Sequence, residues 1–168
     1  MDRLVRRSVG WAYLVGLDRR PPIRLLDLGC HYGLFLHACG QFGHEAVGLD
    51  LPDPLRERVA ERLGVTRLEH RITPEHPAPD LATGFDLFTG FNVTFNGHAT
   101  PTVWGPREWD AFTSNLRAMA NPGARLWLRL HPNRKTGHAL TPVLKQWFQH
   151  RGAWIRPRAG MVSLPLEP

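Results

Sequence analysis

The stretch LLDLGCHYG, residues 25–33, decides how this chain is read. An apolar run carries one acid, Asp27, and stops at Gly29; Gly33 stands four residues further on, with His31 midway. A short apolar run closed by a glycine-flanked turn reads as a buried strand entering a helix. Glycine suits such a turn because a ligand can approach the backbone only where side chains are missing. The free N–H groups of the helix start then attract an anionic end of that ligand. The stretch departs from the dinucleotide pattern GxGxxG, since His31 and Leu34 stand where two of its glycines would be. A carboxylate at Asp27 gains nothing from a pyrophosphate and fits a cationic group, such as an amino or sulfonium centre. Histidine enters left-handed backbone more readily than most residues, so His31 can stand where glycine's permissiveness is usually used.

Outward from this turn, strand and helix patterns alternate. Leu4, Val5, Ser8, Trp11, Ala12 and Val15 share one helical face, so residues 1–20 open with an amphipathic helix ended by Arg19-Arg20-Pro21-Pro22. Residues 23–28, 46–51, 85–91 and 124–131 read as strands, and 66–72 as an edge strand. Residues 33–43, 54–63, 106–120 and 139–150 read as helices. The run 73–83, with three prolines, is a loop, and Asn121-Pro122-Gly123 is a turn. Residues 153–156 and 161–166 pair as a closing hairpin around 157–160. Alternation of this kind means a mostly parallel sheet covered on both faces, with the strands' C-terminal ends along one rim. Asp27-Leu28-Gly29, Asp50, Phe91-Asn92 and Leu130-His131 should line that rim, where such sheets bind ligands.

Asp50 ends the second strand, and a carboxylate there can accept both hydroxyls of a ribose. Its competing role is a cap for the helix after Pro52, and Asp27 could equally be a buried acid satisfied by loop N–H groups.

These residues carry a resemblance. LLDLGCHYGLFLHACGQFGHEAVGLDL (25–51) resembles the cofactor region of class I S-adenosylmethionine-dependent methyltransferases. FDLFTGFNVTF (85–95) resembles their fourth-strand motif, and LRAMANPGARLWLRL (116–130) their helix, turn and fifth strand. The three keep family order and cover residues 23–131. The implied fold is α/β, a three-layer Rossmann-like sandwich with a mostly parallel sheet and an antiparallel C-terminal hairpin. It forms one domain over 1–168, with an N-terminal helix in 1–20, a cofactor core in 23–131 and a closing helix and hairpin in 138–168.

The resemblance implies S-adenosylmethionine as cofactor. Gly29 and Gly33 would hold its methionine part, Asp27 would sit near the amino group, Asp50 would bind the ribose and Leu51 would pack on adenine. Cys30, His31 and Phe91 complete the implied cofactor set. Where the family often places an acid against the adenine amino group, this chain offers Ile72 and Thr73, and Thr73 is the polar one.

Methyl transfer needs mainly an oriented nucleophile and exclusion of water, with a base only when a proton must leave early. Residues 92–105 hold polar and aromatic side chains in a loop too long for a simple connector. His98 is the first candidate base, His131 the second, and Asn92 stands at the strand end. The family's N6-adenine signature, Asn/Asp-Pro-Pro-aromatic, is replaced here by Asn92-Val93-Thr94-Phe95. Arg107, Arg129 and Arg134 are candidates for recognising an anionic acceptor.

Composition bounds the rest. A chain of 168 residues with 42% hydrophobic and 21% charged residues suits one folded domain. The net charge of +6 permits an anionic partner, but no arginine run forms an RNA-binding arm. Two cysteines without CxxC spacing read as a reduced, cytoplasmic protein. Nine histidines form no HxxxH or HxH pair, so no metal is expected. Neither a signal peptide nor a membrane span is expected. The expected activity is methyl transfer to an O or N nucleophile of a small or carrier-borne acceptor, with a dimer mate or partner protein completing an open cleft. A cofactor-binding module without turnover and an RNA methyltransferase are the alternatives.

Overall fold

The computed structural model describes residues 2–97, 103–133 and 137–167. Chain order is α1 (Asp2–Leu14), β1 (Arg24–Leu28), α2 (Leu34–Gln41), β2 (Glu45–Asp50), α3 (Pro54–Leu63), β3 (Thr66–Glu69), β4 (Phe85–Val93), α4 (Pro106–Arg117), β5 (Ala120–Leu130), α5 (Pro142–His150), β6 (Trp154–Arg156) and β7 (Met161–Pro165). The strands form one sheet in the order β3-β2-β1-β4-β5-β7-β6. The first five run parallel, and β7 runs antiparallel to both β5 and β6. This is the expected three-layer arrangement with its antiparallel closing hairpin.

Local chemistry sets the boundaries. α3 starts where Asp53 accepts from the N–H groups of Leu55 and Arg56, with Pro54 at the first helical position. It ends at Gly64, whose φ of 64° is left-handed. α4 places Trp109, Phe112 and Leu116 on one face, all fully buried. Burial of each such side chain contributes about 1.5–3 kcal/mol. With Leu144 and Phe148 of α5 they form the larger core layer against Leu26, Leu28, Phe88, Leu126 and Leu128 of the sheet. On the opposite face Ala12 and Val15, from α1 and its end, and Phe35, Leu36 and Cys39 of α2 pack on Leu25 and Leu87. Buried His44 braces this layer: its Nδ1 accepts from Ile23 N, and its Nε2 donates to Leu17 O at 2.9 Å.

Several expected boundaries move. The first helix ends at Leu14, because Gly16 turns left-handed and Leu17–Arg19 forms a separate 3-10 turn. The edge strand stops at Glu69. The last helix starts at Pro142, three residues after the expected 139, because Thr141 caps it by accepting from Leu144 N. Asn121-Pro122-Gly123 lies inside β5 rather than before it. The physical reason is a bulge: between the pairs Phe85↔Ala120 and Leu87↔Arg125, β5 advances further than β4. Asn121 bridges the irregularity by donating to Gly84 O and Asp86 Oδ1. β4 runs on to Val93 through a second shift at Asn92, whose φ is 59°. The proline-rich run stays a loop, and Ile72, Ala78 and Leu81 pack it on the larger core. No helix among the described residues is long and apolar enough to cross a membrane.

Candidate functional site

The strand order reverses direction between β1 and β4, so the rim above them opens into a crevice. The LLDLGCHYG turn sits in it. Gly29 N and Cys30 N both donate to Leu49 O, at 2.8 and 3.0 Å, which ties the turn to β2. Gly29, His31 and Gly33 have φ of 84°, 55° and 76°, so His31 does stand in left-handed backbone. Its N–H donates to Asp50 Oδ2 at 2.6 Å. His31 and Asp50 therefore fix one another. Arg67 of β3 adds a clamp, donating to Leu51 O and to His31 O.

Two clefts meet at this turn. One encloses about 450 Å³ of empty space, partly open to solvent, between α1 and the turn. Asp27, Gly29, Cys30, His31 and Phe91 line it, with Arg7 and Trp11 from α1. The other spans about 1130 Å³, also partly open, beside Gly29, His31, Asp50, Leu51, Ile72 and Asn92. Gly29, His31 and Asn92 belong to both, so the clefts are continuous around the turn.

Asp27 is 4% exposed, and Thr89 donates to its Oδ1 at 2.7 Å. Burial raises its pKa to about 7; the Thr89 hydrogen bond acts against this, and the charge of Asp50 adds to it. A carboxyl held there can meet a cation as a carboxylate. Asp50 accepts from His31 N, Leu51 N and Arg56 Nη1, yet a carboxylate has about four acceptor positions and keeps capacity for a hydroxyl. Leu51 is 43% exposed beside it, an apolar surface open to a flat ring. Burial and the charge of Arg56 lower the pKa of the His31 ring, which disfavours its charged form. Cys30 is buried against Gly48, and burial drives its thiol up, which leaves it a packing residue rather than a nucleophile.

Other expected site residues are placed differently. Gly33 is the buried N-cap of α2, where an added Cβ would come 2.7 Å from Val65 Cγ2, so it shapes the turn from beneath. Thr73 does not line either cleft: its hydroxyl accepts from His76 N, and Ile72 lines the larger cleft. His131 is exposed and lines a separate hollow beyond β5. Asn92 does reach both clefts, but its Oδ1 is taken by Arg129 Nη1. His98 and Arg134 lie outside the described residues. Arg7, Arg56, Arg67, His70 and Arg71 are site residues that the sequence reading passed over; only contacts between distant segments reveal them. Among the described residues no His, Cys, Asp or Glu group could hold a metal.

The fold is a Rossmann-like one, shared with solved S-adenosylmethionine-dependent methyltransferases. Solved structures with this architecture include the S-adenosylmethionine-bound amino pentose methyltransferase CalS10 of Micromonospora echinaspora, at 25% identity and TM-score 0.52 over 74% of this chain and 49% of that one. A candidate O-methyltransferase from Nostoc punctiforme superposes with TM-score 0.64 over 96% of this chain and 56% of its own, at 16% identity. The glycopeptide N-methyltransferase MtfA, in complex with sinefungin, gives TM-score 0.54 at 15% identity over 77% of this chain and 51% of that one. The chain thus spans about half the length of these proteins. No protein-family model and no curated protein matches it.

Proposed function

We propose that the two joined clefts hold S-adenosylmethionine and that the chain transfers a methyl group to an O or N nucleophile of a small or carrier-borne acceptor. The observation that carries this reading is the pair of acids at adjacent strand ends, Asp27 and Asp50, on either side of one left-handed turn. The donor set suits the cofactor from end to end. Asp27 in the smaller cleft meets an ammonium, with Arg7 beside it for a carboxylate; among the described residues Arg7 has no acidic partner within 4 Å. Asp50 meets a ribose hydroxyl, while Leu51 and Ile72 offer apolar contact to adenine.

The cofactor supplies an electrophilic methyl group; the chain supplies position and a dry site. Phe91 stacks on Trp11 at 4.6 Å and meets Phe35 edge-on at 5.3 Å, forming an apolar wall that excludes water. Arg129 holds Asn92 at the junction of the clefts, which orients its amide NH₂ as a donor toward an acceptor oxygen. Asn96, fully buried after β4, has a side-chain amide with no partner among the described residues. His98 stands next in sequence as the proposed base.

Calorimetric titration with S-adenosylmethionine and with sinefungin tests the cofactor half. Binding near micromolar by either supports it, and no heat from either in a folded sample overturns it. The transfer half is read by the mass gain of one methyl group on acceptors in a metabolite extract. A binding module without turnover is the second reading, favoured by the engagement of Asn92 Oδ1 with Arg129. Tight sinefungin binding with no product across the extract would establish it.

A further inference from the structure

A second concavity lies on the same rim, above the ends of β5 and β7. It holds about 1050 Å³ of empty space, partly open to solvent. Arg129 and His131 at the end of β5, His138, Lys145 of α5 and Arg158 from the turn before β7 line it, and among the described residues no carboxylate does. The sequence explains this one-sided lining: from 111 to 166 the chain carries nine arginines and lysines and no Asp or Glu. The first 110 residues hold fourteen acids against twelve bases. Among the described residues Lys145 and Arg158 have no acidic partner within 4 Å. Like charges facing one concavity repel each other, and a bound anion relieves that repulsion.

The wall that carries Arg158 is fixed. Leu130 N donates to Gly160 O at 2.9 Å, and Gly160 N donates to Pro157 O at 3.1 Å. Gly160 has φ of 63°, and a Cβ there would come 2.4 Å from Leu130 O. The turn is thus pressed onto β5 with its charged side chain projecting from a set position. Arg129 joins the hollow to the cofactor clefts, since it lines the one and holds Asn92, which lines the others.

We propose that this hollow binds a phosphate or phosphoanhydride group, and so that the acceptor is a phosphate-bearing small molecule. Lys145 and Arg158 on one hollow, with no carboxylate among its described lining residues, match a multiply charged phosphate better than a singly charged carboxylate. The assignment of the ligand as acceptor rests on the methyltransferase reading; the anion site does not.

Inorganic pyrophosphate is the probe, titrated calorimetrically at low salt into the wild type and into the double variant Lys145→Gln/Arg158→Gln. Both side chains belong to exposed residues, and thermal melting checks that the variant folds. The expected result is saturable binding that weakens at least about tenfold in the variant, roughly 1.4 kcal/mol, while sinefungin affinity stays unchanged. No saturable binding, or equal binding by the variant, overturns the site. A single-stranded RNA oligonucleotide that binds far more tightly than pyrophosphate, with a steep salt dependence and through the same two residues, overturns the small-molecule assignment. Pyrophosphate binding that needs Lys145 and Arg158 in a protein that ignores sinefungin would keep the anion site and remove the methyltransferase reading.

Discussion

The rim above β1 and β2 and the rim above β5 and β7 lie on one sheet edge but differ in chemistry: the first mixes acids with bases, and the second is lined by bases alone among the described residues. The first presents two acids, Asp27 and Asp50, among Arg7, Arg56 and Arg71, around a turn tied to β2 and clamped by Arg67. The second presents arginine, lysine and histidine around a turn pinned by Gly160. Between them stands β4, whose Asn92 is held by Arg129. One sheet edge can thus receive a ligand with a cationic group at one end and an anionic ligand at the other. The difference shows that strand order sets where sites fall, whereas local residues set what each attracts.

The largest expected effect breaks the basic side alone. Gly160→Ala forces a Cβ against Leu130 O in left-handed backbone and should destabilise the protein by about 3 kcal/mol. Denaturant unfolding reads this; an unchanged midpoint would show that the turn yields and that Arg158 is not fixed by it.

Next is Asp27→Asn on the acidic side. Loss of a charged partner for an ammonium costs about 1.5–3 kcal/mol, so sinefungin should bind roughly 10–100-fold more weakly. Pyrophosphate binding should not move.

The same residue sets a pH dependence. Asp27 titrates near 7 in the folded chain and near 3.8 when unfolded. Between those values the folded state holds the extra proton, so the free protein loses stability as pH rises from about 4 to about 7. Cofactor affinity moves the other way, rising several-fold between pH 6 and 7.5 as the carboxylate forms. Thermal melts and titrations across this range check both slopes, and Asp27→Asn should flatten both.

Arg67→Met removes the donors that hold Leu51 O and His31 O, and should weaken sinefungin binding about tenfold by loosening the turn. The smallest change is His31→Gly. Its N–H to Asp50 survives and glycine accepts the same φ, so affinity should stay within about threefold. A tenfold loss would reveal a contact made by the ring itself.

Residues 25–33 alone announced a strand, a turn and a ligand site, because glycine spacing and an acid at a strand end are local facts. The left-handed backbone at His31 was legible for the same reason. Asp50 was legible as a strand-terminal acid. The chain alone did not disclose that Asp50 accepts from His31 N, or that Arg67 and Arg7 reach the turn. Those contacts join residues 19, 36 and 24 positions away from His31, and no periodicity encodes them. Thr73 failed as an adenine contact because its hydroxyl closes its own turn on His76 N.

The sequence by itself determined the alternating strand and helix pattern, the turn at Gly29 to Gly33 and the two acids. Local conformational preference and hydrophobic period act over a few residues, so they can be read in line. Only the tertiary structure decided which acids face one another, that Thr73 and His131 turn elsewhere, and that Arg129, Lys145 and Arg158 gather in one hollow. Strand pairing brings remote segments together, and a site made of remote segments exists only once the sheet has formed.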